Sequence, residues 1–333
     1  MFGILRTILA INVILLHIFN VYRLGNFSVS FFFILSGFLM TYILNKTYGY
    51  NLNGFKVFWI NRILRLYPIY LVVLITTLAV ILLIPGVARH PSIFSPSSIQ
   101  QWLSNLTMIF PNIVPHRVEP RLVPPSWALT NELFFYFLIS IGISRTYKRT
   151  IIWVVLSILY YLFTYKFYDL ATFRYSAIPA ASLPFSLGAL LFWSVNKYKS
   201  KLKENYLLII LYLGLFYING IWGRNLGDLS IYLNMIIGVF LIYELFKFKN
   251  KKFFKIDKYI GLYSYPIYLS HFFISIIYLY FFNPKSTTFK LNLNEIFVYS
   301  IFLLSFNFLL VHLIDIKIDR IKKRIKKKSK LKV

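Results

Sequence analysis

Apolar residues fill most of the chain in long stretches that short polar segments separate. A helix needs about 20 apolar residues to cross about 30 Å of hydrocarbon, and stretches of this length occur about ten times. Backbone groups in lipid must pair within their own segment, which favours helices, and the alternation of a membrane β-barrel is absent. The pattern predicts an all-α polytopic membrane protein. We predict about ten transmembrane helices, at 4–21, 28–45, 67–85, 127–143, 150–168, 177–195, 206–222, 228–246, 259–282 and 294–314.

The positions of the basic residues predict the orientation of these spans. Short cytoplasmic loops are enriched in Lys and Arg, and with the N-terminus inside, Arg6 and the inner segments hold 28 of the 37 basic residues. Both termini are therefore predicted to be cytoplasmic. The chain is predicted to divide into a transmembrane domain, 1–314, and a basic cytoplasmic tail, 315–333. The inner segments are 46–66, 144–149, 196–205, 247–258 and the tail.

The overall composition excludes several classes of protein. Hydrophobic residues make up 58% of the 333 residues, more than a soluble domain of this size can bury. A net charge of +27 can indicate a nucleic-acid partner, but here the basic residues lie between apolar spans. Membrane lipids are therefore the predicted partners of these charges, and nucleic acid is not. The absence of cysteine excludes disulfides and a thiolate nucleophile.

Two segments between the spans have a pattern of their own. Residues 50–66 alternate apolar and basic side chains at helical spacing, which predicts an interfacial helix on the inner leaflet. Residues 86–126 form one long outer loop that is rich in proline. Such loops often act as lids or binding loops, and a simple covering over the helix bundle is the alternative.

A few polar residues lie where the spans predict hydrocarbon, and polar groups at that depth are costly and often functional. Arg6 and His17 are eleven positions apart, close to three helical turns, so they share a face, with His17 about 16 Å above Arg6. Ser36 on the next span has a similar depth. The alternatives are a hydrogen-bonded packing role for His17 and close helix packing through the small residues Ser36 and Gly37.

Charged residues lie near the third and fourth spans. Arg62 and Arg65 are spaced i, i+3 and project from one face, where two guanidinium groups can bind phosphate oxygens. Anchoring to the inner leaflet is the alternative. Glu132 lies about two turns inside the fourth span, and Trp127 marks the outer end of that span. The candidate partners of the Glu132 carboxylate are a substrate hydroxyl, Arg89 and Arg121.

The ninth span carries the polar residues Ser264, Tyr265 and His271. Ser264 and His271 are seven positions apart and share a face, and His271 lies about 18 Å from the inner end, near the depth of His17. Two imidazoles at one depth, with hydroxyls nearby and arginines below, suit base catalysis on a hydroxyl with a phosphorylated donor held from the inside. No metal is predicted, because these side chains lack close ligand spacing.

Five motifs, in this order, resemble the membrane-bound acyltransferase-3 family, which includes O-antigen and exopolysaccharide O-acetyltransferases. They are Arg6-x10-His17, FFILSGF at 32–38, Arg62-x2-Arg65-x2-Pro68, SWALTNE at 126–132 and YSYPIYLSH at 263–271. Together they span most of the chain. The sequence departs from the family near its end, where Asp315 is followed by Ile316 and Lys317 instead of a nearby proline.

The resemblance implies about ten transmembrane helices and an acyl-CoA donor, commonly acetyl-CoA, that binds from the cytoplasmic side. It implies transfer of the acyl group to a hydroxyl of a glycan or lipid-linked sugar, by a multi-pass protein of a bacterial inner (plasma) membrane. His17 matches the family's essential first-helix histidine. The predicted site thus has His17, Glu132 and His271 as catalytic residues, Arg6, Arg62 and Arg65 for the donor, and Ser36, Trp127, Ser264 and Tyr265 for substrate or structural contacts.

Two other functions fit the same features of the sequence. A transporter or flippase for a glycan or lipid-linked precursor would share the spans and the buried polar groups, but would not need CoA. A membrane scaffold would use those groups only to pack helices. The acceptor, the length of the acyl chain, direct transfer or an acyl-enzyme, and the oligomeric state stay open at this point.

Overall fold

The computed structural model describes residues 2–21, 24–197, 205–248 and 251–330, and all regular secondary structure in these ranges is helical. The all-α prediction is thereby confirmed for these ranges. The predicted inner segment 196–205 lies mostly outside them, as do the last three residues of the predicted tail. The α-helices are α1 Phe2–His17, α2 Leu24–Ile43, α3 Leu52–Leu83, α4 Ile99–Thr107, α5 Ser126–Ser140, α6 Tyr147–Phe167, α7 Ile178–Lys197, α8 Tyr206–Trp222, α9 Leu229–Lys247, α10 Lys251–Phe282, α11 Ile296–Leu310 and α12 Ile316–Lys330.

Seven helical segments of the described chain are long and apolar enough to cross a membrane, which indicates a multi-pass membrane protein. α1 and α8 are apolar as well, but shorter. The number of ten spans and the cytoplasmic termini stay predictions. The seven segments are Leu24–Tyr48, Leu52–Leu83, Tyr147–Phe167, Ile178–Lys197, Leu229–Lys247, Phe253–Phe282 and Leu293–Lys322.

The third span differs from its prediction. The Asn51 side chain accepts a hydrogen bond from the backbone N–H of Gly54 at 2.7 Å and so caps the start of α3. From there α3 continues for 32 residues and passes through Pro68 without a break. The predicted interfacial helix at 50–66 and the predicted span at 67–85 are therefore one helix. Proline removes a single backbone hydrogen bond, and buried turns on both sides of it hold the helix together.

The centre of the bundle is α2, which packs against α1, α5, α7 and α9. At Gly37 a Cβ atom would collide with the backbone of Phe185 on α7, and at Gly188 one would collide with the backbone of Ile34 on α2. The two helices can approach this closely only because both positions are glycine. Packing through small residues is therefore right for Gly37, whereas Ser36 makes a polar contact with another helix.

The first helix lies along α10. Close backbone approach at Gly3 and Gly261 leaves no room for a Cβ atom at either position. The carboxylate of Asp257 accepts hydrogen bonds from the backbone N–H groups of Gly3 at 3.1 Å and Ile4 at 2.9 Å, where helix N–H groups have no partner within the helix. This docking sets the register of α1 on α10, and it brings His17 at the end of α1 against the middle of α10.

The segment between α3 and α5, predicted as a long outer loop, is folded tightly and contains α4. The Asn105 side chain donates to the carbonyl of Pro120 at 2.8 Å and accepts from the N–H of Leu122 at 2.9 Å. The side chain of Arg121 is only 1% exposed and donates to the backbone carbonyl of His116. Hydrogen bonds from side chains thus satisfy backbone groups of this irregular segment that no regular secondary structure pairs.

Candidate functional site

A pocket opens between α1, α2, α3, α5 and α10. It encloses about 730 Å³ of space free of protein atoms, part of which is open solvent. Seven of the ten predicted site residues line it: Arg6, Ser36, Arg62, Arg65, Glu132, Ser264 and Tyr265. The sequence analysis missed two further polar lining residues, Tyr136 and Tyr268. The apolar lining residues are Val29, Phe32, Phe33, Leu66, Ala128 and Leu129.

The pocket is elongated along the helix axes. Its lining runs from Val29 to Ser36 on α2 and from Ala128 to Tyr136 on α5, which at about 1.5 Å per residue corresponds to roughly 10–12 Å. The Tyr136 end is the end with the arginines, since the Arg62 guanidinium lies 6.0 Å from the Tyr136 ring. In the predicted orientation this end faces the cytoplasm.

The carboxylate of Glu132 is held from two helices. The hydroxyl of Ser36 on α2 donates to its Oε1 at 2.6 Å, and the hydroxyl of Tyr136, one turn along α5, donates to the same atom. Hydrogen bonds to a carboxylate are short and strong. Arg121, which the sequence suggested as a partner, instead bonds backbone carbonyls of the outer segment. The spacing Glu132 to Tyr136 was the available signal for this contact, because residues i and i+4 are neighbours on a helix.

Three guanidinium groups line the pocket, those of Arg6, Arg62 and Arg65. One of them is tethered: Arg65 Nη1 lies 2.8 Å and 3.1 Å from the two carboxylate oxygens of Asp315. The Nε atom of Arg62 is buried without a hydrogen-bond partner in the described residues. Because Glu132 is the one carboxylate among the lining residues, the pocket carries excess positive charge and suits an anionic ligand.

The two predicted histidines meet. The rings of His17 and His271 are stacked, with centroids 5.6 Å apart and planes 26° apart. His271 Nδ1 lies 2.8 Å from the carbonyl oxygen of Tyr268, and only a protonated nitrogen can donate to a carbonyl. In the neutral ring, Nε2 therefore carries the free lone pair, and this buried atom has no hydrogen-bond partner in the described residues.

Tyr268 separates the histidine pair from the pocket. Its ring lines the pocket and lies 6.4 Å from the ring of His271 and 5.9 Å from the ring of Phe32. Its hydroxyl donates to the carbonyl of Pro125 at 3.2 Å, just before α5 begins. His17 and His271 are not among the pocket's lining residues, so the imidazoles sit one aromatic ring beyond the pocket's end.

Two more histidines of the outer segment lie near His17. The rings of His90 and His17 both contact the ring of Phe272, with centroid distances of 4.8 Å and 5.3 Å. Burial, with the positive charge of Arg121 as a second cause, lowers the pKa of His90 from 6.5 to about 4. His116 lies within electrostatic range of His17. Four of the chain's five histidines thus gather here, which their separate positions in the sequence did not reveal.

Trp127, predicted as a substrate or structural residue, lies outside the pocket but next to it. Its ring is 5.8 Å from that of His116 and 5.6 Å from that of Tyr175, and the side chain is buried. The next two residues of α5 line the pocket. In the described ranges, no group of three His, Asp or Glu side chains is arranged to hold a metal ion.

Comparison with known proteins identifies the class of the chain. A family model described as an acyltransferase domain matches residues 2–312. An uncharacterised protein of Aquifex aeolicus is 31% identical over 209 residues, which cover 60% of this chain and 89% of that protein. A putative peptidoglycan O-acetyltransferase of Bacillus subtilis is 31% identical over 143 residues, 40% of this chain and 22% of that protein. No solved structure matches.

Proposed function

The chain belongs to the acyltransferase-3 family, and we propose that it is an integral membrane O-acyltransferase that transfers an acetyl group from acetyl-CoA to a hydroxyl of a cell-surface glycan or lipid-linked sugar. One observation carries the proposal: an elongated pocket is lined by three arginines, and the ring of Tyr268 in its lining is all that separates it from a pair of stacked histidines. An anionic donor with a long narrow arm and an alcohol could meet at that end.

The arginine end of the pocket fits the phosphate groups of acyl-CoA. Guanidinium groups bind phosphate oxygens in pairs through charge-assisted hydrogen bonds, and Arg62 keeps a buried donor without a partner. Arg62 and Arg65 would hold the phosphates, and Arg6, which also lines the pocket, would lie along the arm. The roughly 10–12 Å of pocket beyond Tyr136 would take the pantetheine arm and lead its thioester towards Tyr268.

Glu132 would orient the arm of the donor. The Ser36 and Tyr136 hydroxyls already hold one carboxylate oxygen, which fixes the side chain in a single position. A fixed carboxylate in the pocket wall can accept a hydrogen bond from an amide N–H of the arm. Its charge also offsets part of the positive charge of the three arginines. Ser264 and Tyr265 would complete this wall from α10.

The histidine pair would carry the acid–base chemistry. His17 would remove the proton from the acceptor hydroxyl as its oxygen bonds to the acyl carbon, and would return that proton to the departing CoA sulfur. The ring of His271, fixed by its hydrogen bond to the Tyr268 carbonyl, would stack on His17 and hold it in place. The same hydrogen bond would direct the Nε2 lone pair of His271 towards the reacting groups. The alternative to this direct transfer is a transient acyl-enzyme; its nucleophile would not be a cysteine, because the chain has none.

The acceptor would enter from the outer side, where Trp127, His116 and Tyr175 form an aromatic cluster. Aromatic rings present apolar faces that suit the C–H faces of sugars. The Bacillus subtilis relative is named for O-acetylation of peptidoglycan, which is why we propose a glycan acceptor and a position in the bacterial inner membrane.

A thiol-release assay with the purified protein tests this function. Wild-type protein in lipid nanodiscs is expected to release CoA from acetyl-CoA when a glycan acceptor is present, and His17→Ala is expected to abolish the release with normal folding. Full activity of His17→Ala would remove His17 from the role of base. If wild-type protein releases no CoA but moves a lipid-linked sugar across the bilayer, the chain is a flippase instead.

A further inference from the structure

The C-terminal helix returns to the arginine end of the pocket. α11 continues through the π-helical turn Val311–Asp315 into α12, and α12 packs against α3, the helix that carries Arg62 and Arg65. Asp315 at the end of that turn and Asp319 and Lys322 on α12 are spaced i, i+4, i+7, so they share one face of this continuous helix. The departure from the family pattern after Asp315 does not end the helix there.

Asp315 holds one of the pocket's arginines. Both of its oxygens lie within 3.1 Å of Arg65 Nη1, and the carboxylate is only 1% exposed. A buried carboxylate is stable only when it is paired and hydrogen bonded. The ring of Tyr265 lies 5.9 Å from the Arg65 guanidinium on another side. The guanidinium is therefore fixed in direction, with its remaining N–H groups available to the pocket that it lines.

Lys322 lies on the same face, close to the pocket's arginines. Asp319 bonds Lys258 of α10 at 3.3 Å, which ties α12 to one of the helices that bound the pocket, and within α12 it lies 3.8 Å from Lys322. The Lys322 side chain is only 15% exposed, and it lies on the helix face that carries Asp315, the partner of Arg65, where α12 packs against α3. The carboxylates of Asp315 and Asp319 offset part of the positive charge of Arg62, Arg65 and Lys322, and the excess that remains attracts an anion.

We propose that the C-terminal helix is part of the donor site: Asp315 positions Arg65, and Lys322 supplies a further cation for the phosphate groups that Arg62 and Arg65 bind. The inference rests on the proposed acyl-CoA donor. It extends that function, because it gives the basic tail a role in substrate binding that a membrane anchor would not have.

The phosphate could also belong to a lipid headgroup, which α12 would meet at the inner membrane surface. The two sources differ in a measurable way. If Lys322 contacts CoA phosphates, its loss raises the KM for acetyl-CoA but not for S-acetylpantetheine, which has no phosphate. If Lys322 contacts lipid headgroups, its loss lowers activity with both donors, and only in anionic bilayers.

The first test compares Lys322→Gln with Arg320→Gln, an exposed neighbour on α12 that serves as the matched control. Both variants are assayed as full-length protein in neutral and in anionic nanodiscs with acetyl-CoA and S-acetylpantetheine. Lys322→Gln is expected to raise the KM for acetyl-CoA about tenfold, the effect of losing one hydrogen bond to a charged group, with kcat within about twofold. With S-acetylpantetheine, both variants are expected to match wild type.

The second test addresses Asp315 through Arg65. Asp315→Asn keeps the size of the side chain and removes its charge, so the KM for acetyl-CoA is expected to rise about tenfold with little change in kcat. Asp315→Glu keeps the charge and is expected to recover part of the loss. A general structural role would lower kcat for acetyl-CoA and for S-acetylpantetheine alike, and that result would contradict positioning.

Each outcome separates this inference from the proposed function. If wild-type protein neither binds nor cleaves acetyl-CoA, the proposed function fails. If wild type cleaves acetyl-CoA and Lys322→Gln behaves like Arg320→Gln, the role of α12 in the donor site is refuted alone. A loss for both donors that appears only in anionic nanodiscs assigns Lys322 to lipid headgroups and also refutes the inference.

Discussion

Replacing Glu132 by Gln tests whether Ser36 serves the carboxylate or only packs α2 against its neighbours. The substitution keeps the shape of the side chain but makes two charge-assisted hydrogen bonds neutral, those from Ser36 at 2.6 Å and from Tyr136. Hydrogen bonds to charged groups contribute about 1.5–3 kcal/mol and neutral ones about 1 kcal/mol. The free energy of unfolding of Glu132→Gln should therefore fall by about 1–4 kcal/mol, or about 0.5–2 kcal/mol for each bond.

A double-mutant cycle isolates the contact. Ser36→Ala, Glu132→Gln and the double variant are unfolded by denaturant in one detergent, and the coupling between the two sites is calculated from the three losses. We expect a coupling of about 0.5–2 kcal/mol, since the first substitution removes the donor of the hydrogen bond that the second one weakens. The control is Ser28→Ala on the same helix, because the Ser28 hydroxyl donates to the carbonyl of Leu24 at 2.8 Å and not to Glu132.

Additive losses would refute this reasoning. Independent sites add to within about 0.3–0.5 kcal/mol, so a Ser36–Glu132 coupling below that range would show that the charge of Glu132 does not strengthen the 2.6 Å contact. A Ser28–Glu132 coupling as large as the Ser36–Glu132 coupling would show that the effect belongs to α2 as a whole. Either result would mean that Ser36 only packs α2 against its neighbours and does not hold the Glu132 carboxylate.

Three further predictions concern the core and the histidines. His17→Ala should lower acyl transfer by about 10²–10⁴-fold, the usual contribution of a general base, measured by CoA release with His312→Ala as the control. Gly37→Ala should lower the free energy of unfolding by about 1–3 kcal/mol in denaturant unfolding, because its Cβ atom would collide with the Phe185 backbone. Stability should fall as the pH drops from 6.5 to about 4, because in this range His90 binds a proton in the unfolded chain but not in the folded protein. His90→Gln should therefore flatten this part of the plot of melting temperature against pH, and an unchanged slope would contradict the prediction.

The spans were predictable because hydropathy and length are local properties. The second helix was expected at 28–45 and is found at Leu24–Ile43, and the seventh predicted span, 206–222, is the helix Tyr206–Trp222. The join at Pro68 was not predictable in this way. A proline and a change from interfacial to apolar pattern both indicate a boundary locally, while burial in the bundle keeps the helix continuous.

The proximity of the two histidines was predictable, and the partners of the other site residues were not. A fixed rise per residue placed His17 and His271 at one level, and the two rings are indeed stacked. The bond between Arg65 and Asp315 joins residues 250 positions apart, and it depends on how the chain returns after α11. The basic residues around Asp315 indicated only attraction to lipid, because charge counting does not show which face of a helix meets another helix.

The most direct test of the account is the binding of acetyl-CoA to the purified protein, compared between wild type and Arg62→Gln by isothermal titration calorimetry in nanodiscs. The account predicts saturable binding to wild type, and a dissociation constant at least about tenfold higher for Arg62→Gln, the effect of losing one charge-assisted contact with phosphate. Equal affinity in the two proteins, or no binding to a folded wild type, would contradict the claim that the arginine-lined pocket receives the acyl donor.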